Sequence, residues 1–197
     1  RPLSRIDAER PLSPQAKPLV VEVVALDWKW LFIYPEQGIA TVNELAAPVD
    51  VPIQFKITAS NVMNSFYIPA LAGQIYAMPS METKLHAVIN KAGEYEGFSA
   101  NYSGAGFSHM RFKFHGLDQA GFDAWVQKAK AGAGKLDRAE YLKLEQPSER
   151  EPARLIGSVE PELFHAIVNR CVAANTVCMD KLMATDLNVK PGQQKAE

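Results

Sequence analysis

The chain has 197 residues, 47% apolar and 22% charged, a balance that excludes a disordered or fibrous polypeptide and fits one domain with an appendage. A formal net charge of −1 provides no basic field for nucleic acid, and two cysteines cannot build a disulfide scaffold. No stretch reaches the roughly 18 uninterrupted apolar residues of a membrane span. The strongest candidate, Leu19 to Tyr34, is broken by Glu22, Asp27 and Lys29. The first residue is not Met and no signal-peptide pattern follows it, so the expectation is that Arg1 is the start of a processed or trimmed chain, which does not exclude a span upstream.

Residues 1–18 carry Pro2, Pro11, Pro14 and Pro18 with mixed charge and read as an extended lead-in or linker. Residues 19–116 read as a β domain. Val20 to Leu26 is a β-branched run bounded by Pro18, and Trp28, Trp30 and Phe32 share one face of an alternating segment with Lys29 on the other. A strand over Gly38 to Leu45 follows, then Val51 to Thr58, where Ile53, Phe55 and Ile57 alternate with Gln54 and Lys56. Leu85 to Ile89, Tyr95 to Ala100 and His109 to Phe114 complete the set, with Met110, Phe112 and Phe114 opposite His109, Arg111 and Lys113. Short strands at near-regular spacing predict a sandwich or small barrel.

The pattern turns helical from Leu117. Asp118 is an N-cap ahead of Phe122, Trp125, Val126 and Ala129, and Gly132-Ala133-Gly134 ends that helix. Asp137 caps a second, with Tyr141, Leu142 and Leu144 apolar. Pro161 takes a first-turn position in a third, whose stripe is Leu163, Phe164, Ile167 and Val168. The helical extension spans 117–187 and a frayed tail 188–197.

Common catalytic motifs are absent: no Gly-rich phosphate loop, HExxH, G-x-S-x-G or CxxC occurs. On one straight helix the Cα atoms of Cys171 and Cys178 would stand about 10 Å apart, too far for a disulfide, whereas a turn over residues 173–176 would join them. A disulfide and two unpaired thiols stay equally open, and a metal site is disfavoured by the lack of a nearby histidine. His109 and Met110 look like a soft-metal pair, but strand neighbours point to opposite faces. His109 and His115 instead share a charged stripe with Arg111 and Lys113, and His86 and His165 stand alone.

Three segments together resemble subunit II of the haem–copper terminal oxidases: Asp27 to Glu36, Ser60 to Pro69, and Ser99 to Met110. The resemblance covers about residues 19 to 170 and implies a mainly β fold, a cupredoxin-like β-sandwich with a C-terminal helical extension. In the cytochrome c oxidase branch this domain holds a dinuclear copper centre, whose pattern is a His before a Pro-terminated loop, then C-x3-C-x3-H-x2-M. Laid on this chain, the first His falls at Asn64, the cysteines at Ser99 and Ser103, the second His at Phe107, the backbone-carbonyl residue at Asn101 and the methionine at Met110. A serine hydroxyl stays protonated at neutral pH and is a hard ligand, and phenylalanine has no ligand atom, so the resemblance implies no metal here and a packing role for Met110.

This loss resembles the copper-less branch, subunit II of bo-type ubiquinol oxidases. Trp28-Lys29-Trp30, Tyr34 to Glu44, Val62 to Phe66, Gln74 to Met78 and Tyr102-Ser103-Gly104 carry the likeness, as do Phe122 to Val126, Pro147 to Glu149 and Val159 to Phe164 in the aromatic-rich C-terminal part. The version here is leaner, since Arg150 to Ile156 has no aromatic residue. The resemblance implies two upstream transmembrane helices, a possible lipid anchor, and a position on the periplasmic face of a bacterial inner membrane. It also implies docking on subunit I, which would carry haems, copper and the quinol site, in a proton-pumping complex with further subunits. No catalytic centre or cofactor is expected in this chain. Interface candidates are Trp28, Trp30, Tyr34, Tyr76 and Met78, as partly exposed aromatic and soft side chains; sandwich-core positions for Trp28 and Trp30 are the alternative. Two other function classes stay open, a copper-binding electron-transfer cupredoxin and a free-standing periplasmic binding module.

Overall fold

Strands form where apolar residues alternate or run continuously. The computed structural model describes residues 17–70, 74–99 and 110–182. In chain order the strands are β1 (Leu19–Leu26), β2 (Lys29–Tyr34), β3 (Ile39–Val42), β4 (Glu44–Pro48), β5 (Ile53–Ala59), β6 (Asn64–Tyr67), β7 (Gln74–Ala77), β8 (Thr83–Ala87), β9 (Gly93–Ser99) and β10 (Arg111–Leu117). The C-terminal part adds α1 (Gln119–Lys130), β11 (Lys135–Leu136), α2 (Arg138–Glu145), β12 (Arg154–Ile156), β13 (Ser158–Val159) and α3 (Leu163–Val168).

Two sheets face each other. One runs β12-β3-β2-β1-β5-β8, the other β4-β10-β9-β6-β7. The β1–β5 and β4–β10 pairs are parallel, and the remaining pairs within these two sheets are antiparallel. Parallel neighbours require crossovers, which makes this a sandwich of non-local pairings rather than a meander.

The single strand read over Gly38 to Leu45 is two strands in different sheets. Asn43 sits between β3 and β4 with φ 56°, a left-handed conformation that asparagine tolerates better than most residues. Its Oδ1 accepts from the Trp30 amide at 2.8 Å and its Nδ2 donates to the Glu151 carbonyl at 2.9 Å. One residue thus turns the chain from sheet to sheet and pins both the sandwich and the C-terminal part.

Between the sheets, Phe66 and Phe112 stack at 5.5 Å, and Trp30 and Phe32 meet Phe112 edge-on. Tyr34 crosses the layer: its hydroxyl donates to the Ala46 carbonyl at 2.7 Å and accepts from the Ala46 amide at 3.0 Å. Desolvation raises the Tyr34 phenol well above its ordinary pKa. The helix α1 closes one edge with Phe122, Trp125, Val126 and Ala129, all buried, after Asp118 accepts from the Gly121 amide.

The extension is less helical than its sequence suggests. Of its strands, β12 adds to β3 in the main sheet, so Arg154 to Ile156 packs by backbone pairing rather than by aromatic anchors. Asp137 caps α2, accepting from the Glu140 amide. Pro161 precedes the cap residue Glu162 and lies outside the first turn of α3. Cys171 and Cys178 are bonded, with Cα atoms 4.7 Å apart, because α3 stops at Val168 and the chain turns back.

Gly97 faces the ring of Phe112: a Cβ there would lie 2.0 Å from Cζ. Gly97→Ala must therefore displace the central stacked ring, and it lowers stability by about 1–3 kcal/mol in urea denaturation. Phe112→Leu in the same chain recovers part of the loss. An unchanged midpoint for Gly97→Ala would refute this packing.

Candidate functional site

One end of the sandwich brings together Asn64, Ser99 and Met110, three of the positions onto which the resemblance lays copper ligands. Asn64 opens β6 and Ser99 closes β9, and these strands are antiparallel neighbours with Phe66 opposite Ser99. Met110 immediately precedes β10. Asn64, Ser99 and Met110 are 1%, 2% and 0% exposed, so solvent does not reach them. Ser99 Oγ donates to Asn64 Oδ1 at 2.9 Å, and Asn64 Nδ2 donates to the Val62 carbonyl at 3.1 Å. The Met110 carbonyl accepts from Ser99 N at 3.3 Å and from Trp30 Nε1 at 3.2 Å.

The three side chains are neutral: an amide and a hydroxyl satisfying one another, and a thioether in the core. No thiolate or imidazole stands among them, and this donor set does not fit a centre that needs two bridging thiolates. Asn101, Ser103 and Phe107, with His109, lie outside the described residues. Among the described residues no group of three or more His, Cys, Asp or Glu is placed to hold a metal ion.

The other histidines are dispersed. His86 is exposed on β8. His115 Nε2 lies 3.5 Å from Glu44, whose carboxylate also accepts from Trp125 Nε1 at 3.0 Å. His165 pairs with Asp180 at 2.9 Å. On the charged stripe of β10, Arg111 and Lys113 pair with Glu96 and Glu94 on β9, as cross-strand neighbours do.

The interface candidates divide. Trp30 and Tyr34 are wholly buried between the sheets and offer no area to a partner. The alternation that put Trp30 on a common face marked the inner face. Trp28 is half-buried in the β1–β2 turn, Met78 is half-buried, and Tyr76 is 48% exposed. Sequence reading missed three neighbours of theirs: Val62, Met63 and Met81, 36%, 45% and 53% exposed. All share the Asn64–Ser99 end. Tyr76 pairs with Ser65, the Met81 amide donates to the Met78 carbonyl, and Pro79 bridges Ala59 where β5 ends. The only signal available beforehand was three methionines close to these strand ends, which does not separate core from surface.

Residues 35–116 match the family described as "Cytochrome C oxidase subunit II, periplasmic domain", and residues 130–175 match the "COX Aromatic Rich Motif". The chain is 52% identical over 171 residues to a cytochrome bo(3) ubiquinol oxidase subunit 2 from Pseudomonas putida, covering 87% of this chain and 54% of the relative. It is 54% identical over 180 residues to a ubiquinol oxidase subunit 2 from Acetobacter aceti, covering 89% of this chain and 57% of that protein. It therefore spans about half the length of the curated relatives it matches. Among solved structures, the periplasmic domain of subunit II of cytochrome oxidase from Bradyrhizobium japonicum superposes with a TM-score of 0.56 at 23% identity, over 60% of this chain and 96% of that one. That likeness concerns the fold.

Removing the Ser99 hydroxyl leaves the buried Asn64 Oδ1 short of a donor. Ser99→Ala is expected to cost about 1–3 kcal/mol in chemical denaturation. A change below about 0.5 kcal/mol would show that the pair does not hold this end together.

Proposed function

We propose that this chain, which belongs to the terminal-oxidase subunit II family, is the periplasmic part of a ubiquinol oxidase subunit II that carries no metal and serves assembly. The observation that carries the reading is the buried Asn64–Ser99 hydrogen bond at the copper-ligand positions. An amide and a serine hydroxyl stay neutral at physiological pH, so they neither charge-balance nor bridge copper ions, and Met110 alone is a soft donor. A complex that draws electrons from a membrane-dissolved quinol has no need of a copper entry port on this domain.

In this reading the haems, the copper of the oxygen site and the quinol site belong to subunit I, and upstream helices tie the domain to the bacterial inner membrane. Docking on subunit I uses the end where Val62, Met63, Tyr76, Met78 and Met81 cluster beside Trp28. Isolated exposed apolar side chains are ordinary, but a contiguous group on one rim marks an interaction surface. Soft, unbranched methionines adapt to a partner's contours, and a half-exposed tyrosine supplies an anchor.

Two measurements test the two parts. Purified chain incubated with Cu(II), or with Cu(I) under reductant, and then dialysed retains no stoichiometric copper and shows no thiolate-to-copper band. Tight one- or two-equivalent copper would favour the electron-transfer cupredoxin instead. In the full-length protein, Met63→Lys with Met81→Lys leaves the domain folded by circular dichroism but reduces co-purification with the haem-bearing subunit from membranes at least fivefold. Wild-type recovery would remove this end from the docking surface.

A further inference from the structure

The extension covers only part of the outer face of the six-stranded sheet. Val24, Leu26, Leu31 and Ala40 pack against it, while Glu22 and Lys56, register neighbours on β1 and β5, stand at its border with α3. A cleft of about 660 Å³ opens there, a size typical of small-molecule sites. Its floor is apolar, formed by Ile33, Phe164 and Val168. Its rim carries Glu22, Glu82 and Glu162 beside Lys56. Glu160 and His165 also face it, but each is already engaged, Glu160 by Arg138 at 3.4 Å and His165 by Asp180 at 2.9 Å. No salt bridge among the described residues reaches Glu22, Glu82, Glu162 or Lys56.

Three ionised carboxylates against one ammonium leave the rim two negative charges in excess. Lys84, opposite Lys56 on β8, lies outside the lining. The carboxylates act on one another across the cleft: desolvation pushes the Glu22 carboxyl up to about 7, Lys56 partly offsets this, and Glu82 and Glu162 add to it. Glu162 precedes α3 without capping it, so its carboxylate is not spent on the helix. Among the described residues no three His, Cys, Asp or Glu side chains converge to hold a metal ion. The excess charge is therefore spread around an apolar floor, which suits an elongated dication with an aliphatic body rather than a compact, hydrated one.

We propose that the cleft is a binding site for an aliphatic diamine, its two ammonium groups held by Glu22, Glu82 and Glu162 and its methylene stem laid on Ile33, Phe164 and Val168. Charge complementarity selects this ligand: two positive charges match the excess on the rim. Each ammonium is a compact charge with three donors, and hydrogen bonds from an ionised donor to a carboxylate are the strong ones. Charges beside an apolar floor are also less screened than in open water. This does not depend on the proposed role in the oxidase.

The test titrates the 197-residue chain with cadaverine at pH 8 and low salt, followed by NMR. One site is expected to saturate, with amide shifts centred on Glu22, Ile33 and Phe164. n-Pentylamine, with the same stem and one charge, binds at least tenfold more weakly. So does cadaverine to Glu82→Gln with Glu162→Gln, two exposed positions whose exchange leaves the sandwich folded. Lowering the pH to 6 weakens cadaverine by up to about tenfold, because Glu22 falls from about nine-tenths to about one-tenth ionised. The groups facing Glu22 are Lys56 from β5, Glu82 ahead of β8, and Glu162 and His165 beside or on α3. Glu22→Gln, which removes only the Glu22 titration, flattens this dependence. Equal affinity for the monoamine, binding indifferent to the double substitution, or shifts that spread over the surface without saturating would overturn the proposal.

Discussion

Around β1 and β2 the six-stranded sheet is apolar on both faces, and most of the architecture answers to that. Along β1 and β2 nearly every residue is buried, the signature of a sheet covered on two sides. Val21, Val23, Trp30 and Phe32 face the second sheet, while Val24, Leu26, Leu31 and Ile33 face outward. Burying a side chain such as Leu31 or Ile33 is worth about 1.5–3 kcal/mol. The C-terminal part is thus the second wall of the sheet: Leu136, Tyr141, Ile156, Leu163, Phe164 and Ile167 supply the covering surface. Lys29 follows from the same demand. It lies on the outer face at 2% exposure because its ammonium reaches the Gln146 carbonyl and Ser148 hydroxyl, which strap the extension across the strand end. Burial lowers its pKa.

The Asn64–Ser99 end is held together by direct hydrogen bonds. Trp30 reaches through the core to the Met110 carbonyl, which also accepts the Ser99 amide, so the two ends of the 100–109 segment are joined by backbone and indole hydrogen bonds. Asn64 and Ser99 close the gap on the neighbouring strand. A buried polar pair is tolerated when it is internally satisfied, and it then specifies one arrangement.

Much of this was legible in the sequence where the physics is local. Alternation at Ile53, Phe55 and Ile57 marked β5, and Asp118 and Asp137 announced their helices because a side-chain cap acts within three residues. The failures are non-local. Nothing around Asn43 distinguishes a continuous strand from one that changes sheets, since the cause lies in Trp30 and Glu151. The strands β6, β7 and β12 have three or four residues each, too few for periodicity, and owe their existence to pairing. Trp30 and Tyr34 look like surface anchors in the sequence because sequence identifies a face but not which side of the sheet it is. Conversely, the exposed Met63 and Met81 look like core residues until the strand ends are placed. The residue types at Asn64 and Ser99 are plain in the sequence, whereas their mutual hydrogen bond needed the fold.

The end of the extension is held both to α3 and to the sandwich, where Cys171 and Val172 join the outer core and Arg170 donates to the Ser60 carbonyl. The Cys171–Cys178 bond closes the turn, Arg138 donates to the Cys171 carbonyl at 2.6 Å, and Asp180 meets both His165 and the Asn169 side chain. These bonds fix the end of α3, while Leu163, Phe164 and Ile167 fix it against the sheet. The outer face that α3 leaves open is set by where it stops. Val168 ends the helix and Glu22 lies where the covering ends. A carboxylate at the border of a covered sheet is only partly hydrated, and that is the origin of its raised pKa. The same boundary that completes the second core thus creates the acidic, apolar-floored cleft, so the covering of the sheet and the character of its uncovered flank share one structural cause.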